Sequence, residues 1–299
     1  MPQPSSLPQM RYPTALQSAA NNNFVVGQGG FGVVMRNRTN GTLVHKLMKS
    51  GVQCHEAEKE YDNHRRIYET YAKFVKSHPT LARSIAVPKP HVFMSCKSCR
   101  GSLCHVCTEP YHCVYTMDGV VSGRRDGLME HVILNEIYEN QGGQIYFVNH
   151  PRMPNSTYVN AAKKRMGPRG AFLAQSQLAK RNVDVREMAR NMGMLFQIII
   201  AAGVTPHDAE YVLGMPPPSS TGQLRRATTG GGVGRATCLW AMDFGMAHKP
   251  YTADDMEMDM YVPSADDDPT LHAHFLQGRA VVREWQSKPR PGLTRSVTR

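Results

Sequence analysis

The sequence predicts an α+β fold: a five-stranded antiparallel sheet with one helix, followed by a reduced, mostly helical second half. Three observations lead there. Residues Phe24 to Met35 read as strand, glycine-rich turn, strand, and Asn40-Gly41 supplies a tight hairpin turn into a third strand from Thr42 to Met48. The charged, Ala-containing stretch from Cys54 to Val75 has helical character, with Tyr61, His64 or Arg65, Tyr68 and Ala72 along one side. Asp184 is a good helix N-cap with Glu187 three residues on, and Val185, Met188, Met192, Leu195 or Phe196 and Ile199 then recur at helical spacing.

The remaining elements follow in chain order. Residues 1–23 lack the periodicity and apolar content to fold and are expected to form a disordered arm. The first half, residues 24–120, is completed by strands at Val87 to Met94 and Cys113 to Met117, which flank a cysteine-bearing loop at 96–107. The second half, residues 121–299, opens with a stretch that carries Gly142-Gly143, several prolines and a basic segment at 163–181, read as a loop or a fraying helix. After the helix that begins at Val185 come a short apolar strand, Tyr211 to Leu213, and a low-complexity loop at 216–236 too rich in Pro, Ser, Thr and Gly to pack. A last apolar strand, Leu239 to Met242, ends at Asp243.

The formal net charge is +11, and seven of the acids (Asp254, Asp255, Glu257, Asp259, Asp266, Asp267, Asp268) fall in one short stretch, so the rest is more basic still. A basic excess favours polyanions, nucleic acid first among them, because each phosphate neutralised releases counterions. The plainer reading is a merely basic soluble protein. No apolar run reaches the roughly 18 residues of a membrane span, and the N-terminal stretch lacks a secretory apolar core. A cytoplasmic location without a membrane partner is the expectation. Of the seven cysteines, Cys96, Cys99, Cys104 and Cys107 lie within twelve residues, a clustering that argues for metal ligation over a disulfide framework. Two CxxC knuckles suit tetrahedral ligation of structural zinc, although the gap of four between them is short, which leaves His105, His112 or Cys113 as substitute ligands.

The chemistry is carried by a constellation in order along the chain. Gly27, Gly29 and Gly32, with Phe31, sit between two strands, where residues without a Cβ let backbone N–H groups approach phosphates. Lys46 lies in the apolar strand Leu43 to Met48, and Glu60 on the following helix is its natural partner, with Glu56 and Glu58 as competing candidates. Asp243-Phe244-Gly245 ends an apolar strand. This glycine loop, strand lysine, helix acid and Asp-Phe-Gly resemble the nucleotide-binding half of protein kinases, which implies a two-lobe fold with Lys46 and Asp243 facing each other across a crevice. The kinase catalytic loop is not matched. Pro206 falls where the base should be, Tyr211 where the magnesium-binding Asn should be, and Asp208 is near but out of register. No Ala-Pro-Glu motif follows Gly245, so ordinary protein phosphorylation is not expected.

A second resemblance is narrower. His207-Asp208-Ala209-Glu210-Tyr211-Val212-Leu213-Gly214, a variable Pro-rich loop, and then Thr237-Cys238-Leu239-Trp240-Ala241-Met242-Asp243-Phe244 look like the signature of a fungal family of kinase-like proteins often labelled "zinc finger protein". The match is close over about residues 195–250 and looser before them; family members usually carry a residue other than Gly at the position of Gly245. That family is associated with arginine-containing cyclodipeptide synthases. The resemblance implies an aminoacyltransferase of natural-product biosynthesis that uses charged tRNA and consumes no ATP. It implies tRNA as partner, with Lys163, Lys164, Arg165, Arg169, Lys180 and Arg181 as phosphate contacts. Asp208, Glu210 and Asp243 are the acids that would hold a guanidinium and take a proton from the attacking amine, with roles not divided among them. Lys46, Glu60 and the loop residues Gly27, Gly29, Phe31 and Gly32 would receive the tRNA end. Two other readings compete: an atypical small-molecule kinase using Mg and ATP, and a pseudokinase that binds nucleotide or RNA.

Overall fold

Three consecutive strands form a meander of β1 (Asn23–Gln28), β2 (Gly32–Asn37) and β3 (Leu43–Lys49), with buried and half-buried positions alternating over Val33 to Arg36 and Leu43 to Lys46. The helix α1 (Cys54–Ser77), a short 3-10 turn (Pro79–Arg83) and β4 (Ile85–Ala86) follow, then β5 (Pro90–Ser95) and β6 (Tyr111–Asp118). The rest of the chain contributes β7 (Glu130–Val132), β8 (Ile137–Glu139), β9 (Ile145–Phe147), β10 (Ala171–Leu173), α2 (Gln175–Lys180), α3 (Val185–Ala201), β11 (Glu210–Gly214), β12 (Cys238–Met242) and α4 (Pro269–Ser287). The computed structural model describes residues 23–28, 32–37, 42–49, 54–95, 111–121, 129–134, 137–139, 145–147, 171–173, 175–206, 209–217, 238–244, 262, 263, 265 and 268–288.

Five strands form an antiparallel sheet in the order β1-β2-β3-β6-β5. Buried apolar residues line both of its faces, since successive side chains on a strand point to opposite sides. Val44, Met48, Cys113, Tyr115 and Met117 meet Ala57 and Tyr61 of α1 on one face, whereas Val33, Met35, Leu47 and Val114 cluster on the other. Helix α1 turns a stripe of Ala57, Glu60, His64, Ile67, Tyr71 and Phe74 inward. That stripe is rotated from the one read off the apolar residues: Tyr61 and Tyr68 are only half-buried and Arg65 is exposed. The reason is electrostatic, because Glu60 has a buried partner and takes an inward place that a carboxylate would otherwise avoid.

The second half carries, alongside its helices, a sheet of which the sequence announced two strands, Tyr211 to Leu213 and Leu239 to Met242, and not the other three. Its order is β10-β7-β11-β12-β4, with β10 parallel to β7, β12 parallel to β4, and antiparallel pairing between. Strands of two to five residues are too short to display a period. The dividing line near residue 120 is also crossed, since Ile85 and Ala86 of the first half pair with Leu239 and Trp240.

Helix α3 is capped as expected, the Asp184 carboxylate accepting from the N–H groups of Arg186 and Glu187. From Met188 to Ile199 nearly every residue is buried, because α1, the second sheet and α4 pack around it. Helix α4 was not expected from sequence. It starts on Asp268, whose side chain accepts from Leu271 N–H, and buries Leu271, Phe275, Gly278 and Val282. The two helix backbones touch: a methyl group on Gly193 would lie 1.9 Å from the Phe275 carbonyl oxygen, and one on Gly278 would lie 1.9 Å from the Arg190 carbonyl oxygen. Arg279 and Arg283 then both donate to Gln197 Oε1, at 3.1 and 3.3 Å.

Candidate functional site

The site is assembled from three distant stretches of chain. Register places Lys46 of β3 directly opposite Tyr115 of β6, on the face that α1 covers. One turn and a half into α1, Glu60 comes down over the same face. Asp243 is delivered by the end of β12, where the backbone adopts a left-handed conformation with φ of 57°. A non-glycine residue there costs about 1–2 kcal/mol, a strain that tends to gather at sites with a task.

These groups bond to one another. The Lys46 ammonium donates to Glu60 Oε1 at 2.5 Å and to Asp243 Oδ1 at 2.9 Å. The Tyr115 hydroxyl donates to the same Glu60 oxygen at 2.6 Å. Lys46 and Glu60 are buried, while the Asp243 side chain keeps 38% of its surface exposed. The carboxylate on the loop is therefore the face the site shows to solvent. His64, one turn beyond Glu60, donates from Nε2 to the Pro88 carbonyl at 2.7 Å, since a carbonyl can only accept, and its ring lies 5.1 Å from that of the buried Phe244.

Charge states follow from these surroundings. Burial pulls the Lys46 ammonium down, but the Asp243 and Glu60 carboxylates outweigh it and hold its pKa well above the ordinary value. An amine so held stays protonated at neutral pH, so it serves as a fixed positive charge and not as a nucleophile or base. Burial pushes the Glu60 carboxyl above its usual range, against the opposing pull of Lys46. Burial likewise lowers His64 to about 4 despite its bond to Pro88, which leaves the ring neutral. Burial and the Glu60 carboxylate together raise the Tyr115 hydroxyl well above its ordinary value, so it remains a donor.

Of the residues expected at the site, Lys46, Glu60 and Asp243 are brought together. Glu56 and Glu58, the competing partners for Lys46, lie at exposed positions on α1. Glu210 opens β11 opposite Met242, next to Asp243 in the chain, and its Oε2 lies 3.5 Å from His131 Nδ1. Gly27 sits at an irregularity where β1 meets β2. Gly32 has a packing reason of its own, because a Cβ there would lie 2.6 Å from the Leu47 carbonyl oxygen. Gly29, Phe31 and Asp208 fall outside the described residues.

The basic segment is described only at its end. Lys180 closes α2, and Arg181 donates to Glu130 Oε2 at 2.6 Å, an internal pairing with a carboxylate that is almost fully buried. Lys163, Lys164, Arg165 and Arg169 lie outside the described residues, as do Cys96, Cys99, Cys104 and Cys107. Cys113 is buried and disulfide-bonded, so its sulfur does not stand as a thiolate ligand in this structure. Among the described residues no group of three or more His, Cys, Asp or Glu could hold a metal ion.

Tyr115 is the contributor that spacing did not single out; Phe244 was named with Asp243, and His64 on the helix, without a part in the site. Tyr115 was legible in principle, because two adjacent antiparallel strands fix which residues face each other once their register is known. No known protein-family model matches the chain, and no curated protein matches it.

Proposed function

We propose that this chain is an aminoacyl-tRNA-dependent synthase of arginine-containing cyclic dipeptides, built on a protein-kinase-like two-lobe scaffold. The observation that carries the reading is the Lys46 ammonium held between Glu60 and Asp243 at 2.5 and 2.9 Å, in a chain whose catalytic-loop positions carry Pro206 and Tyr211. A phosphate-facing amine is kept, while the base and the metal-binding Asn of a phosphotransferase are not. The strand order β1-β2-β3-β6-β5, with α1 between β3 and β5, supports the kinase-like scaffold. The signature from His207 to Phe244 supports the family, and the charge of +11 supports a tRNA partner.

In this reading the α-amine of one aminoacyl group attacks the ester carbonyl of another. The first ester's tRNA hydroxyl leaves with the amine's proton; the free α-amine of the resulting dipeptidyl-tRNA then attacks the remaining ester, breaks its bond to the second tRNA, whose hydroxyl leaves with the second amine proton, and closes the ring. The chain's own residues orient and neutralise. Asp243 and Glu210, with Asp208, receive the cationic arginine side chain and the amine proton, and Lys46 offers positive charge to the terminal phosphates. The cysteines at 96, 99, 104 and 107 would hold zinc as a structural staple, since four thiolates leave no open coordination position.

Incubation of the purified chain with tRNAs charged with arginine and a second amino acid, without ATP, is expected to give an arginine diketopiperazine. Absence of any cyclic dipeptide across all charged tRNAs would remove the reading. The second reading, an atypical small-molecule kinase, is favoured by the same Lys46 to Glu60 pairing; magnesium-dependent ATP turnover in place of product is its mark.

A further inference from the structure

We propose that Tyr115 is the positioning residue of this site, aiming the Lys46 ammonium by way of the Glu60 oxygen that both of them bond. The proposal rests on the reading of Lys46 as the group that meets the substrate. Three observations carry it. Lys46 and Tyr115 are cross-strand partners, so the strand register itself sets their spacing. Both donate to Glu60 Oε1, at 2.5 and 2.6 Å, which uses both lone-pair directions of that one oxygen. Tyr115 is also clamped: its ring is 2% exposed and meets Tyr61 at 5.9 Å and His64 at 6.2 Å, both from α1.

A lysine side chain has four rotatable carbon–carbon bonds and no preferred aim of its own. Glu60 and Asp243 both accept from the amine, but each holds it only as firmly as the carboxylate itself is held, and Glu60 on its helix would by itself be free to swing. A second donor on the same oxygen, delivered from the rigid centre of the sheet, removes that freedom by fixing where the acceptor lies. Tyr115 itself does not bond Lys46. Its ring centroid is 5.9 Å from Nζ, a contact that Phe would keep, while the hydrogen-bonded link from the hydroxyl to the amine runs through Glu60. The other described groups around Glu60 leave this role open. His64 spends its Nε2 proton on Pro88, Asp243 is an acceptor, and β5 contributes Phe93, which is apolar.

The test uses Tyr115→Phe, which keeps the ring and its packing and removes only the hydroxyl. The first measurement is the Lys46 side-chain amine resonance by NMR, in the wild type, in Tyr115→Phe, in Glu60→Met, which removes the shared acceptor, and in the double variant. The resonance is expected to move in Tyr115→Phe and to show no further movement when Glu60 is already Met. An unchanged resonance in Tyr115→Phe, or equal movement in both backgrounds, overturns the proposal. If Tyr115→Phe does not fold, 3-fluorotyrosine at 115 keeps the hydroxyl but makes it a stronger donor, and a Lys46 resonance that stays put then overturns it.

The second measurement is cyclic dipeptide formation, expected to fall about tenfold in Tyr115→Phe, the scale on which orienting partners usually act. A wild type that makes no product removes the proposed function, while the resonance still decides the role of Tyr115.

Discussion

Lys46 and Asp243 are 197 residues apart in the chain and 2.9 Å apart in space. Their bond joins the centre of the first sheet to the end of β12 in the second. With Glu60 as the other partner, one ammonium stands between two carboxylates, so removing the lysine would leave both acids without their shared counter-charge.

Replacing Lys46 is therefore expected to be costly in two ways. Lys46→Met leaves the buried Glu60 carboxylate without its counter-charge and should lower stability by about 3–5 kcal/mol, read by urea denaturation. Lys46→Ala should in addition abolish product formation and weaken tRNA binding. Unchanged binding and turnover in a folded Lys46→Ala variant would show that the substrate does not reach this amine.

The stability of the fold should fall in mild acid through His64. Its folded pKa of about 4 lies below the roughly 6.5 of an unfolded histidine, so between those values the unfolded chain binds the proton that the folded one refuses. The contribution is complete above about pH 6.5 and is lost as pH drops toward 4, with a ceiling of about 3 kcal/mol. Urea midpoints measured across that window should decline less steeply in His64→Gln than in the wild type; parallel declines would contradict the assignment.

At the crossing of α3 and α4, Gly193→Ala and Gly278→Ala test backbone contact directly. Alanine is the better helix former by about 1 kcal/mol, yet here each methyl would meet a carbonyl oxygen at 1.9 Å. Both variants are expected to lose about 1–3 kcal/mol or more, as overpacked sites do. A gain in thermal stability from either one would mean that the helices part without penalty.

Metal analysis of freshly purified protein is expected to give about one zinc per chain, and Cys99→Ser with Cys104→Ser should remove it. Substoichiometric zinc in the intact protein would leave the four cysteines as plain thiols.

Much of the first half could be read from the residues. The apolar runs before Gly27 and around Lys46 are local signals, and local signals are what a sequence displays. The N-cap at Asp184 was visible for the same reason. The inward face of α1 was legible only at Glu60, through the lysine fourteen positions earlier, while its apolar residues pointed to a face rotated from the buried one. Of the second sheet, the apolar strands at Tyr211 to Leu213 and Leu239 to Met242 were legible, while the two- and three-residue strands beside them were too brief to show. Helix α4 carried a signal that went unused: Asp268-Pro269 at its start, with Leu271, Phe275 and Val282 spaced along one face. The site followed the same division, since order along the chain revealed Lys46, Glu60 and Asp243, while Tyr115 emerged only once β3 and β6 were aligned.

The two-residue strand β4 has an effect out of proportion to its length. It leaves the end of α1 through a single turn, and there Ser84 accepts from the N–H of Leu239 at 2.9 Å while Ile85 accepts from the Tyr71 hydroxyl at 3.1 Å. The helix bearing Glu60 and the strand delivering Asp243 are thus indexed against a common datum on the far side of the lysine. The gap that the ammonium bridges is gauged by main-chain bonds before any side chain enters it, so a slip of one residue at Ile85 would throw the two acids out of alignment with each other.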